Sequence, residues 1–238
     1  MDFFKKLSLL APLAVTILCT PVKAQRNPCP QEEVAPGQVK IKKAQGERFK
    51  VGIIHKETAQ TIFDTIAGME SIPYKYVVDG CDVRAYLAAR EIYERWGAHS
   101  FRANLDASPN MIAQTPFTAE GWVDFSRHTA LAFCVADKGV VSPVVFDAAF
   151  FDGPISVEKW RDSLKDEYVS NHKPKLYYSS MFNLNPEEKR LTSFSSSELA
   201  CAEEVREVFM KEQRKIEKGQ LPYGIGRSKE VLRLNLCL

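Results

Sequence analysis

Cys81 combines a nucleophilic side chain with a position that would activate it. Asp79-Gly80 permits a tight turn directly before it, and the apolar spacing of residues 82–96 predicts a helix that ends at Gly97. Unpaired backbone N–H groups and the positive end of the helix dipole would then face the sulfur and favour thiolate over thiol. The same N–H groups could hold an oxyanion formed by attack on an amide. Position alone is equally consistent with a buried structural cysteine or half of a disulfide.

His128 and Asp147 lie on either side of a predicted turn at residues 137–139 and supply a base and a carboxylate. His128 is ten residues before the middle of this turn and Asp147 nine after it, so a roughly symmetric hairpin puts them on facing or adjacent rungs. A carboxylate beside an imidazole fixes its tautomer and stabilises the imidazolium. Singly, they would more simply be a buried histidine and a loop cap. Together with Cys81 they predict a catalytic triad.

The elements that must position these residues form an α+β pattern. Short or alternating apolar runs predict strands, and apolar spacings of three and four predict helices. The predicted strands are 51–54, 127–136, 140–146 and 175–178, with a short extended stretch at 74–78. The predicted helices are 57–69, 82–96, 157–165 and 198–218, and a long loop is predicted at 104–117. Residues 25–49 are polar and aperiodic, so we expect a linker or short pro-segment there, with ordered structure beginning near Phe49.

Residues 1–24 have the composition of a secretory signal peptide. Two lysines precede an apolar run at residues 7–19, and Ala24 ends a small-x-small cleavage motif. The thirteen residues of this run are fewer than the roughly 20 that a membrane span takes, so no stable membrane span is expected. Cys19 would suit a lipoprotein signal less well, because the bulky Leu18 precedes it. We therefore expect export, to the periplasm or the medium.

Charge and histidine spacing exclude some classes of function. The three lysines and one aspartate of residues 1–24 account for the whole formal net charge of +2, so the exported chain would be formally neutral. Because nucleic-acid binding through phosphates needs a clustered positive field, nucleic acid is not expected as a partner. His55, His99 and His172 have no metal-ligand spacing to each other or to cysteine. Neither a metal nor another cofactor is therefore expected.

The cysteine count is odd after signal removal. Five cysteines would remain in a compartment where disulfides persist, so at least one thiol stays unpaired within the chain. We expect Cys134, inside an apolar run, to be a buried core thiol. The connectivity of the others stays open, since Cys201 and Cys237 could pair with each other or with Cys29.

Short motifs follow one another along the chain around these residues. They are Val78-Asp79-Gly80-Cys81-Asp82-Val83-Arg84-Ala85, Arg127-His128-Thr129-Ala130, Phe146-Asp147, Gly153-Pro154 and Trp160-Arg161. In this order they resemble the protein-glutaminases, secreted bacterial deamidases, over residues 63–178. The resemblance implies that Cys81 is the nucleophile, that His128 is the general base and acid, and that Asp147 orients His128.

The resemblance also implies a fold, a substrate and a reaction. The fold would be an α+β, papain/transglutaminase-like core in which a helix carrying the cysteine packs on an antiparallel sheet carrying His and Asp. The catalytic domain would span residues 50–238, with a C-terminal helical extension. Its partner would be a protein or peptide with an exposed glutamine, deamidated to glutamate through a thioester. The same triad supports a cysteine protease or a transglutaminase-like acyltransferase, and an inactive secreted binding module is the alternative of another class.

Overall fold

The structure is a computed structural model that describes residues 27–164, 173–185 and 192–222. Its strands are β1 (Val39–Lys43), β2 (Lys50–His55), β3 (Phe101–Gln114), β4 (Trp122–Asp137), β5 (Val140–Phe146), β6 (Ile155–Ser156) and β7 (Lys175–Ser180). Its helices are α1 (Lys56–Ala67), α2 (Cys81–Trp96), α3 (Val157–Ser163) and α4 (Ser196–Glu217). The predicted signal peptide, His172 and Cys237 lie outside the described residues.

The strands form one seven-stranded sheet, and the fold is α+β as predicted. Its central path runs β1-β2-β4-β3-β7, while β5 pairs with β4 and β6 with β5. All of these pairs are antiparallel except β2 with β4, so the sheet is mixed, whereas an antiparallel sheet was expected. The predicted helices are confirmed with their ends within two residues. The likeness of this core to papain or transglutaminase stays a prediction.

The long strand β4 is covered on both faces. Leu131, Phe133 and Val135 pack in the cluster that contains the buried side chains of α1, α2 and α4. The alternate residues, such as Ala132 and Cys134, pack in a second cluster on the opposite face. Burial on both faces explains why this part of the sequence is a continuous apolar run rather than an alternating one.

The prediction of a long loop at 104–117 is wrong, because most of these residues belong to β3. Polar residues and prolines indicated a loop, yet Arg102 and Asn104 are fully buried and their side chains are hydrogen-bonded. The pairing of β3 with β4 shifts register between Asp106 and Met111. An irregularity of this kind accommodates a proline within a strand. The stretch predicted as extended at 74–78 contains no strand but turns and irregular backbone.

Ordered structure begins earlier than near Phe49. Strand β1 pairs with β2, and the side-chain amide of Gln31 makes two hydrogen bonds to the backbone of Val141 on β5. Cys29 forms a disulfide with Cys134, and both residues are fully buried. Cys134 is therefore a core residue, as expected, but not a free thiol. The use of the 25–49 segment as a linker or removable pro-segment stays a prediction.

Candidate active site

Cys81 is the first residue of α2 and is partly exposed. The residue before it, Gly80, has φ +78°, a left-handed conformation that favours glycine over residues with a side chain. The helical hydrogen bonds begin at Gly80, whose carbonyl accepts the backbone N–H of Arg84 at 2.9 Å. The sulfur therefore lies at a helix N-terminus, where the first N–H groups have no acceptor within the helix.

His128 and Asp147 come together because of the register of the β4–β5 hairpin. Leu131 pairs with Phe146, so Asp147 continues the register opposite Ala130, one same-face step from His128. The His128 Nε2 and Asp147 Oδ2 atoms are 2.8 Å apart, and both residues are buried. Asp147 also caps the following turn, but it does so with its backbone: its carbonyl accepts the N–H groups of residues 150 and 151. Its side chain is used for the contact with His128.

The other ring nitrogen of His128 is the one left for Cys81. The Cys81 side chain lies close enough to the His128 ring to help raise its pKa, and since Nε2 is bound to Asp147, Nδ1 is the nitrogen left for the sulfur. Cys81 and His128 line the same surface cleft, and Asp147 lies behind them. The structure thus brings together all three residues that the sequence singled out, in the order Cys81, His128, Asp147.

The charges of this group are set by burial and by close partners. Burial would lower the pKa of His128, but the Asp147 carboxylate, with a smaller contribution from Cys81, raises it to about 9. Burial would raise the pKa of Asp147, but His128, the Trp160 indole and the Arg84 charge together lower it. Near neutral pH the pair is therefore an imidazolium beside a carboxylate.

Trp160 is a second hydrogen-bond donor to the Asp147 carboxylate. Its Nε1–H donates to Asp147 Oδ2 at 3.0 Å, and the indole on α3 is fully buried. In the sequence, the Trp160-Arg161 pair stands out only as part of a motif, with no role of its own. The sequence shows only that Trp160 follows Asp147 by thirteen residues, and this separation does not by itself predict a contact.

Arg84 supports the site from the first turns of α2. Its guanidinium is buried and donates to the backbone carbonyls of Tyr76 and Asp79, the latter at 2.6 Å. These contacts tie the segment before Cys81 to the helix that Cys81 begins. The positive charge also lowers the pKa of Asp147. Arg84 therefore has a structural and an electrostatic effect.

Aromatic rings enclose the His128 imidazole. Phe125 stacks on it with ring centroids 4.8 Å apart, while Phe150 approaches edge-on at 5.3 Å and Trp160 at 5.6 Å. Aromatic faces attract a cation, and their bulk keeps water from the ring. The surroundings therefore suit an imidazolium that is paired on both sides.

The cleft over Cys81 is polar and has a volume of about 300 Å³. It is lined by Val77, Val78, Asp79, Cys81, Asp82, Asn110, Asp124, Phe125, Ser126, Arg127 and His128. One of these carboxylates is held in place, since Arg102 Nη2 on β3 contacts Asp82 Oδ1 at 2.6 Å. Trp122 does not line it but begins β4. A thiol, an acid–base histidine and helix N–H groups at one opening can perform acyl transfer on an amide.

Two further features bear on the chemistry and location of this chain. Among the residues described by the structure, no group of three His, Cys, Asp or Glu side chains is arranged to hold a metal ion. Within the same ranges, no helix combines the length and the apolar character that crossing a membrane requires.

Comparison with known proteins gives a family match over part of the chain and a similar fold. Residues 54–164 match the model of a family described as Glutaminase. A mutant of pro-protein-glutaminase has a similar structure, with a TM-score of 0.54 and 18% identity over 66% of this chain and 57% of the other. Protein-glutaminase gives 0.52 and 16%, over 66% and 88% of the two chains. The NMR structure of protein-glutaminase from Chryseobacterium proteolyticum gives 0.51 and 20%, over 66% and 89%.

The similarity to the solved structures is a similarity of fold. At identities of 16 to 20%, the solved structures show a shared fold. This chain spans 57% of the pro-protein-glutaminase to which it is similar, a little more than half of that chain. No curated protein matches this chain in sequence.

Proposed function

Because residues 54–164 belong to the glutaminase family, we propose that this chain hydrolyses the side-chain amide of glutamine in proteins or peptides, releasing ammonia and leaving glutamate. The observation that carries the proposal is the placement of Cys81 beside the His128 ring at an open, polar cleft, with Asp147 behind them and hydrogen-bonded to the other side of the ring. An open cleft over the nucleophile admits a side chain that projects from a protein surface. The reaction needs no cofactor.

The first half of the reaction forms a thioester. With the pKa of His128 raised to about 9, the imidazole is protonated near neutral pH, and an imidazolium at the start of a helix favours the thiolate, which is the form of the sulfur that attacks. Attack on the glutamine carboxamide forms a C–S bond and moves the π electrons to oxygen, where the N–H groups at the start of α2 stabilise the negative charge. His128 then protonates the nitrogen, the C–N bond breaks and ammonia leaves.

The second half returns the enzyme to its starting state. Neutral His128 takes a proton from a water molecule as the water oxygen attacks the thioester carbon. The C–S bond breaks, glutamate is released, and the thiolate is again paired with an imidazolium. Asp147 keeps the imidazole in one orientation through both halves and stabilises its charged form, which is the form before attack and after hydrolysis.

The test combines ammonia release with mass spectrometry of a glutamine-rich protein. We expect ammonia together with mass gains of roughly one dalton confined to glutamine, and loss of both by several powers of ten in Cys81→Ala and His128→Ala. New peptide ends would indicate a protease, and incorporation of an added primary amine would indicate a transglutaminase-like acyltransferase. Equal mass gains from Cys81→Ala would refute the proposed nucleophile.

Alkylation separates an enzyme from an inactive binding module. A thiolate held by an imidazolium reacts with iodoacetamide near pH 6, whereas an ordinary thiol, with a pKa of about 8.5, is mostly protonated there and reacts slowly. We expect fast labelling of Cys81 that is lost in His128→Ala. Slow labelling of Cys81 in the unmodified chain would favour the binding module.

We further propose that the chain is exported, with residues 1–24 removed. The composition of these residues supports a cleaved signal peptide, and the buried Cys29–Cys134 disulfide is typical of an oxidising compartment. Mass spectrometry of the protein recovered from a producing cell should give a chain that starts at Gln25. Recovery of a cytoplasmic chain that still carries Met1 would contradict export.

A further inference from the structure

We infer that helix α4 positions the nucleophile, and that Phe209 and Gln213 are positioning residues that act through the segment before Cys81. This inference rests on the proposed function of Cys81. Helix α4, Ser196–Glu217, lies beyond the residues that match the family model, which end at 164. It therefore adds to the site an element from outside the matched region.

The closest contact joins the Phe209 ring to Gly80. A Cβ atom built on Gly80 would lie 2.0 Å from a carbon of the Phe209 ring, so the backbone next to Cys81 lies directly against the ring. Phe209 is fully buried and its ring centroid is 4.9 Å from that of Tyr76. Gly80 has a left-handed φ that few residues adopt, and the ring packed against it leaves its backbone little room to take another conformation.

A second contact holds the same segment four residues further along α4. The side-chain Oε1 of Gln213 accepts the backbone N–H of Lys75 at 3.0 Å. Gln213 is buried, and its side-chain amide also donates to Glu217, which forms an exposed ion pair with Lys75 at 2.9 Å. A buried amide that caps a backbone N–H fixes the position of that backbone, since leaving the N–H unsatisfied is unfavourable.

These contacts hold one side of the segment before Cys81, and Arg84 holds the other side. Arg84 on α2 binds the carbonyls of Tyr76 and Asp79, while α4 holds the same segment through Phe209 and Gln213. The backbone that leads into Cys81 is thus fixed from two helices. A displacement of this backbone would move the sulfur relative to His128, which is held separately by Asp147 on the sheet. Catalysis is sensitive to displacements of about 1 Å.

The experiment compares Phe209→Ala with Val205→Ala, which removes another fully buried side chain from the same face of α4. For each variant we would measure kcat and KM on a glutamine peptide, and the rate of iodoacetamide labelling of Cys81 from pH 5 to 9. Mass spectrometry of the labelled peptide separates Cys81 from Cys201. Rates are expressed per folded molecule, from the folded fraction measured by circular dichroism.

We expect Phe209→Ala to lower kcat about 10- to 100-fold with KM changed little, while Val205→Ala stays within about threefold of the parent. Labelling of Cys81 should slow most at pH 6, because a displaced sulfur loses its contact with the protonated His128. Equal kcat for the two variants per folded molecule would overturn the inference, as would a labelling profile unchanged by Phe209→Ala.

Gln213 gives a second pair of variants that removes little volume. Gln213→Met keeps the approximate shape but offers the Lys75 N–H only a weak thioether acceptor, whereas Gln213→Glu keeps the acceptor oxygen and loses only the donor to Glu217. We expect a loss of kcat in Gln213→Met that Gln213→Glu recovers, and equal activity of the two would count against positioning. This pair decides the matter if Phe209→Ala does not fold. If the parent releases no ammonia, the proposed function fails, but the labelling profiles still test the positioning of Cys81.

Discussion

Asp147→Asn would remove the charge that holds His128 protonated while changing the size of the side chain little. The pKa of His128 is about 9, against about 6.5 for an ordinary histidine, and each pKa unit corresponds to about 1.4 kcal/mol. Its partners therefore favour the imidazolium by about 3 kcal/mol after the opposing effect of burial. Without the carboxylate, burial is opposed only by Cys81, so we expect the pKa of His128 to fall to about 6.5 or lower.

The consequence for the nucleophile follows from the protonated fraction. At pH 7, an imidazole with a pKa of about 9 is about 99% protonated, and one with a pKa of about 6.5 is about one quarter protonated. Loss of the imidazolium removes the positive charge beside the sulfur, and with it a source of thiolate stabilisation. Because His128 also loses its fixed orientation for both proton transfers, we expect kcat to fall by about 10²- to 10⁴-fold in Asp147→Asn.

The assay is the rate of iodoacetamide labelling of Cys81 as a function of pH. The parent should label fast and almost evenly between about pH 6 and 8, whereas Asp147→Asn should label slowly at pH 6 and faster as pH approaches about 8.5, the ordinary pKa of a thiol. Asp137→Asn is the matched control, because Asp137 is an exposed carboxylate of the same hairpin, paired with Lys56. Fast labelling of Asp147→Asn at pH 6 would refute the inference that Asp147 keeps His128 protonated.

Three further measurements test the surroundings of the triad. Trp160→Phe removes one hydrogen bond to Asp147 and should lower kcat about tenfold, with a loss of about 1 kcal/mol in the free energy of unfolding measured in urea. Since the pKa of His128 is raised on folding, its contribution to stability should be complete below about pH 6.5 and disappear as pH rises through about 9, so the stability advantage of the parent over Asp147→Asn should shrink at pH 10. Replacing Cys29 and Cys134 by alanine should cost about 2–5 kcal/mol of stability in the same assay without changing kcat per folded molecule; a large fall in kcat would instead link the disulfide to the site.

Local pattern was enough to predict most elements of this fold. The helices and the strands after residue 126 have either amphipathic spacing or an unbroken apolar run, and these patterns depend only on neighbours in sequence. Strand β3 was missed because its polar residues are satisfied by distant partners: the Asn104 amide donates to Ser179, and Arg102 binds the backbone carbonyl of Leu184. Such partners cannot be identified before the fold is known. The N-terminal segment was missed for the same reason, since its anchors are Val141 and Cys134.

The meeting of Cys81, His128 and Asp147 was predictable because each of them occupies a position with a local marker. Cys81 follows a turn and begins a helix, and the hairpin turn sets the register that brings His128 to Asp147. Trp160 and Phe209 have no such marker, because a buried aromatic residue on a helix is ordinarily a packing residue. Their contacts with Asp147 and Gly80 are properties of the assembled fold.

The aromatic enclosure of His128 has two opposite effects on its charge. Removing water from the imidazolium penalises it, but a drier site also strengthens the attraction of the Asp147 carboxylate. The pKa of His128 is raised because the effect of Asp147, together with a smaller contribution from Cys81, outweighs the effect of burial. Phe125 and Phe150, which cover the ring, and Trp160, which also holds the carboxylate, therefore belong to the acid–base chemistry as well as to the packing. A polar side chain in place of either phenylalanine would admit water and weaken the hydrogen bond on which the nucleophile depends.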